Sequence, residues 1–160
     1  MRTAVVGLGL VMTAIVAVAA GEAKGTITHA AKTGTVVVTV KNAYLMKGPD
    51  LVSGKTIRRI VLSTVDVLPA LKTCENMMCA DGGIEEGMTI DLDAGERVNY
   101  WFVANGQRVQ YSGTADPASL KLTSNTPQRA AGSWSLDGRK GGGPLIQVEF
   151  DATLVKELKK

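Results

Sequence analysis

Cys74 and Cys79 are the chain's two cysteines, and they bracket the adjacent Met77 and Met78 in the stretch LKTCENMMCADGG. Three chemistries suit such a group. Thiolates and thioethers together are soft ligands for Cu(I), and Met88 offers a further sulfur. Two neighbouring thiols can also form a redox-active pair, although this spacing lacks the C-x-x-C form that tunes a thiol. In an oxidising compartment the two are expected to join as a disulfide. The disulfide Cys74–Cys79 is the reading carried forward. Copper is disfavoured because the single histidine, His29, is distant in sequence and no M-x-x-M series occurs. Adjacent Met77 and Met78 would also point apart on extended backbone. Geometry adds a condition: on a regular helix, Cα atoms five positions apart lie roughly 8–9 Å from each other, beyond a disulfide's span. Residues 75–78 are therefore expected to form a turn or irregular loop.

Other candidate chemistry is sparse. Residues 91–96, DLDAGE, have a passing likeness to a calcium loop, but the third acidic position and the distant bidentate glutamate are absent. A strand end followed by a turn accounts for them, with Asp81, Glu85 and Glu86 as possible acidic neighbours. RKGGGP, residues 139–144, offers glycines and two cations to an anion but lacks P-loop spacing. A mobile hairpin loop is its expected role. His29 has no nucleophile motif to serve, and no Gly-x-Ser-x-Gly occurs. Tyr100, Trp101, Tyr111 and Trp134 are expected to pack between sheets. No catalytic constellation, cofactor or resident metal is expected.

Compartment decides how the cysteines are read. The chain opens with Arg2, an apolar run over residues 4–16, and then Ala17-Val18-Ala19. That order of basic, apolar and small residues predicts a cleaved signal peptide over 1–19, with cleavage after Ala20 or Ala23 as alternatives. The apolar run is short for a membrane span, which needs about 20 residues, and no cysteine sits where a lipid anchor would attach. The protein is therefore expected in the periplasm or outside the cell, with no stable membrane insertion after cleavage. Net charge is +3. The basic groups, Lys55 with Arg58 and Arg59, and Lys156 with Lys159 and Lys160, read as solvated faces and do not point to nucleic acid.

The elements that would position these residues are strands. Ile146, Val148, Phe150, Ala152 and Leu154 alternate with Gln147, Glu149, Asp151 and Thr153, predicting a long strand with one buried face. Val36, Val38 and Val40 alternate with polar neighbours, while Val37 makes that strand apolar on both sides. Met88, Ile90 and Leu92 oppose Thr89, Asp91 and Asp93. Asn105-Gly106 predicts a two-residue type I′ hairpin. Shorter strands are expected near 26–30, 57–63, 120–123 and 131–136. One short helix is expected around 65–71, interrupted by Pro69. The fold class is all-β: a single antiparallel β-sandwich or small β-barrel of about eight strands, with a helical or loop insertion near 65–80. One domain over 24–160 follows the signal peptide.

Ala131-Gly132-Ser133-Trp134-Ser135-Leu136-Asp137, then Gly142-Gly143-Pro144, then residues 149–156 (EFDATLVK) resemble the C-terminal portion of a group of functionally uncharacterised exported bacterial β-rich proteins. The resemblance covers about a third of the chain. It implies a β-rich exported domain and carries over no catalytic residues. The function expected from all of this is an exported binding or accessory module without catalytic activity, contacting a protein or cell-envelope partner. A small-ligand carrier with a cleft or barrel pocket is the alternative, and a periplasmic copper-binding protein the more distant one.

Overall fold

The computed structural model describes residues 21–159; the expected signal peptide, 1–19, lies outside them. The strands are β1 Gly21–Ala31, β2 Gly34–Thr39, β3 Asn42–Pro49, β4 Thr56–Ser63, β5 Gly87–Leu92, β6 Val98–Ala104, β7 Val109–Ala115, β8 Leu120–Thr126, β9 Arg129–Asp137 and β10 Leu145–Glu157. Two short helices, α1 Leu68–Thr73 and α2 Cys79–Gly82, lie between β4 and β5. The strands form a ten-stranded sheet in the order β7-β6-β5-β4-β3-β1-β10-β9-β8, with β2 paired to β1 off this path. The sheet folds over on itself without closing, which is the sandwich-like alternative of the all-β expectation. Two strands more than expected are present, and one pairing, β3 with β10, is parallel.

β10 organises the sheet. It pairs with β1 and β9 along its first part and with β3 along its last. Ile146, Val148, Phe150 and Ala152 are buried in one core and Leu154 packs against it, as their alternation predicts. A bulge between Leu154 and Lys156 interrupts the register. Val155, next to Leu154, points to the opposite face by ordinary alternation and packs against a second core. The extra residue shifts the side-chain phase beyond it, so that Lys156 pairs with Met46. Backbones approach closely at two glycines on the strands flanking β10. A Cβ on Gly25 (φ 111°) would collide with Gln147 O, and one on Gly132 with Lys121 O. No other residue allows so close a backbone approach.

The second core explains where periodicity misleads. Residues 64–86, carrying α1 and α2, lie over the outer face of β3, β4 and β5. Tyr44, Met46, Ile57, Val61, Leu71, Met77 and Val103 are buried beneath this cover. β3 is consequently buried on both faces: Ala43 and Leu45 enter the first core, Tyr44 and Met46 the second. Without an alternating pattern it gives no strand signal. For the same reason Thr89, expected on a wet face, is buried. Val37 departs in the other direction. β2 is an edge strand, and Val37 is 58% exposed.

Two local expectations change. Pro69 does not interrupt α1; it sits in the first turn, where a missing N–H costs no intrahelical bond. The hairpin between β6 and β7 uses the loop 105–108, with Asn105, Gly106 and Gln107 all at positive φ (52°, 62° and 64°), in place of a two-residue turn. The longer loop aims the Gln107 amide at the insertion, where it donates to Ile84 O at 2.7 Å and Asp81 O at 3.1 Å.

Phe150 is buried at the middle of β10, whereas the Glu149 side chain is 61% exposed and pairs with Lys24. Phe150→Ala is expected to cost about 3–5 kcal/mol and Glu149→Ala under about 1 kcal/mol. Chemical denaturation of the two variants side by side measures both. A larger loss for Glu149→Ala would contradict the register described.

Candidate functional site

The sulfur-bearing loop is a closed structural clip. Cys74 leaves α1 with extended backbone (φ −58°, ψ 136°), and Asn76 Oδ1 accepts a hydrogen bond from Cys79 N at 3.0 Å, turning the chain into α2. The cysteines are bonded, with Cα atoms 5.4 Å apart. Both the pairing and the irregular loop agree with the sequence. The methionines do not converge on them. Met77 is buried in the second core, Met78 is 60% exposed, and Met88 lies in the first core across the sheet. Among the described residues, no three or more His, Cys, Asp or Glu side chains are placed to hold a metal ion.

The acids of the calcium-like turn are engaged by arginines. Arg58 and Arg59, adjacent on β4, point to opposite faces and each forks onto one aspartate. Arg59 bonds Asp91 through Nε (2.6 Å) and Nη2 (2.9 Å). Its Nη1 reaches Met77 O at 2.8 Å and the Asp81 carboxylate at 3.0 and 3.1 Å. Arg58 bonds Asp93 at 2.6 and 3.0 Å, then Asn125 Oδ1 at 2.7 Å and Thr126 O at 3.0 Å in the β8–β9 turn. Neither is the solvated cation that the sequence implied: Arg59 is 8% exposed and the Arg58 side chain 13%. Burial pushes the Asp81 carboxyl above the ordinary carboxylate range, and Arg59 opposes that shift. In the 139–144 turn, Arg139 is held by Asp137 at 2.6 and 2.8 Å rather than free for an anion.

Aromatic side chains fill the space between the two halves of the sheet. Trp134 and Tyr100 meet edge to face at 5.1 Å, and Tyr100 stacks on Tyr111 at 6.0 Å. His29 packs against Phe102 and Tyr111 at 5.8 and 5.6 Å. This is the expected packing role for Tyr100, Tyr111 and Trp134; Trp101 instead packs against the second core. The His29 Nδ1 is buried without a hydrogen-bond partner.

A concavity lies outside, on the exposed face of β1, β10, β9 and β8. It is an open trough of about 620 Å³ with Gly132 and Ala131 in its floor. Lys24, Glu149, Ser133 and Lys121 are aligned across four strands by their registers. Lys24 pairs with Glu149 at 2.9 Å. Arg129 forks onto Asp151 at 2.6 and 2.8 Å, which lowers the Asp151 carboxyl below its ordinary range. Glu149 and Asp151 are thus each held by a cation, while Glu22 also lines the trough. This arrangement presents paired charges of both signs to a polar surface. The polar phase of the β10 alternation was the available sequence signal for this face, but Lys24, Lys121 and Arg129 are joined to it only by strand pairing.

Arg59→Leu leaves Asp81 and Asp91 buried without their cation and is expected to cost about 3–5 kcal/mol. Adding Asp81→Asn and Asp91→Asn should recover much of that loss in chemical denaturation. A second outcome concerns alkaline pH. Burial, reinforced by the bond to Asp66, pushes the Tyr44 phenol up to about 12. Burial beside Tyr111 does the same for Tyr100. Their retained protons favour the folded state fully below pH about 10, and that contribution is lost as pH rises toward about 12. Tyrosinate absorbance followed with circular dichroism should show both ionising together with alkaline unfolding. Tyr44→Phe and Tyr100→Phe should each remove one late equivalent.

Comparison with protein-family models, with curated proteins and with solved structures gives no match to the chain. The reading of function therefore rests on the geometry above.

Proposed function

We propose that this protein is an exported binding module without catalytic activity, and that it engages a protein or cell-envelope partner through the trough on β1, β10, β9 and β8. One observation carries the reading. The interior between the sheet halves is occupied by Tyr100, Tyr111, Trp134 and Phe102, while a concavity of about 620 Å³ lies open on the outer surface, bordered by charged side chains. A small-ligand site is typically enclosed and mostly apolar, which disfavours carriage. The ion pairs Lys24–Glu149 and Arg129–Asp151 hold charges of both signs at fixed positions, and that suits specificity toward a complementary polar surface.

Export is supported by the Cys74–Cys79 bond, since disulfides persist in oxidising compartments. Among the described residues, no helix is long and apolar enough to cross a membrane. The strand pairing also bears on the cleavage position. Gly21 pairs with Ala43, and Glu22 pairs with both Asn42 and Asp151, so cleavage after Ala23 would remove paired residues of β1. The mature chain is expected to begin at Ala20 or Gly21. N-terminal sequencing that finds Lys24, or Met1 on membrane-bound material, would overturn this.

Binding is tested by pull-down from periplasmic extract with mass spectrometry, using the wild type beside Lys121→Glu and Ser133→Arg. Both substitutions alter the trough without touching a core. Loss of the same captured component from both variants, with circular dichroism unchanged, supports the reading. Undiminished capture by both, or a stoichiometric small ligand or metal in native mass spectrometry, would replace it.

A further inference from the structure

We propose that β2 is a self-pairing edge, joining two copies of this chain through an antiparallel contact whose twofold axis passes by Val37. β2 pairs with β1 on one side; among the described residues no strand lies on the other. Val40 N–H donates to Gly25 O at 3.2 Å, which sets the phase of the ladder. Val36 and Val38 turn their main-chain groups toward β1, and Thr35, Val37 and Thr39 turn theirs outward. Natural edge strands are commonly blunted by a charge, a proline or a bulge. Gly34–Thr39 has no charge and no proline, and its register with β1 is regular. The exposed Val37 side chain sits at its centre.

The residues select the occupant. Thr35-Val36-Val37-Val38-Thr39 reads the same in both directions. A twofold axis at Val37 sets Thr35 opposite Thr39 of the second copy and Val37 opposite its own equivalent. Each outward-facing residue then meets an outward-facing one, with donors and acceptors in phase. Valine packs on valine across the axis, flanked by threonines, and no charge opposes another within the strand. The layer β8-β9-β10-β1-β2 continues through the axis into the second copy. Lys32 and Lys41 lie just beyond the two ends of the strand and approach those of the other copy, so screening by salt favours the pairing. One short strand buries less than the roughly 1,200 Å² at which the standard range of stable interfaces begins, so the contact is weak and reversible.

Sedimentation velocity of the mature chain over a concentration series, at low and high salt, tests this together with amide hydrogen exchange. The expected result is a reversible dimer whose fraction rises with salt. The amides of Thr35, Val37 and Thr39 should slow as concentration rises, while those of Val36 and Val38 are protected throughout. Val37→Lys replaces an exposed side chain and should keep the melting temperature while weakening association at least about tenfold. A chain that stays monomeric to about 1 mM overturns the proposal. So does a dimer indifferent to Val37→Lys, or outward amides that ignore concentration. Protection of those amides by an extended segment from periplasmic extract, without self-association, would assign the edge to a different partner.

Discussion

Two adjacent arginines on one strand hold together parts of this molecule that the sheet alone would leave apart. In a β-strand, neighbouring side chains point to opposite faces, so Arg58 and Arg59 act on different structures from the same backbone. Arg59 binds the insertion from beneath through Met77 O and Asp81 while forking onto Asp91. Arg58 spans from Asp93 to Asn125 and Thr126, tying the β4–β5 half to the β8–β9 turn where the sheet fails to close. A planar guanidinium with several fixed donors can serve a carboxylate and a carbonyl simultaneously; a lysine ammonium cannot reproduce that geometry. Burying Arg59 opposes its charge, and the bonds to Asp91 and Asp81 more than offset this, holding its pKa above the ordinary arginine value.

From that attachment the second core follows. Once residues 64–86 are held over β3, β4 and β5, Tyr44, Met46, Ile57 and Val61 gain a buried environment on what would otherwise be a wet face. Gln107 reinforces the cover from the β6–β7 loop, and Lys156 reaches Lys72 O at 2.8 Å from the end of β10. The disulfide has a more local part. It closes a short ring between α1 and α2, worth about 2 kcal/mol in the chain-entropy account, and shapes the loop that presents Met77 O to Arg59. Disulfide chemistry and packing thus meet in one segment.

The exterior of the other half is organised differently. Gly25 and Gly132 let β1 and β9 approach neighbouring backbone closely where they pair with Val148 and Phe150 of β10. Ion pairs line the open trough on the outer face of these strands. Gly132 belongs to the AGSWSLD stretch on which the resemblance to exported β-rich proteins was based. It has a physical role here regardless of that likeness.

The sequence by itself determined the elements whose environment is one-sided. β10 could be read because along most of its length one face meets the core and the other water, and its inward residues are those its alternation named. β4 and β5 kept a readable pattern because Arg59, Thr89 and Asp91 punctuate their second, covered face with polar residues. The cysteine pair was legible because compartment and spacing sufficed. What only the tertiary structure decided involves chain segments far apart. β3 gave no alternation because a cover formed by residues 64–86 buries its second face. Arg58 and Arg59 looked like solvated cations because their partners lie 35 and 67, and 32 and 22, positions away. The trough is likewise assembled from strands at both ends of the chain. Periodicity reports how a segment meets a single boundary between core and water. It is silent about a second boundary created when a later segment folds across, and about charges that meet only when strands pair.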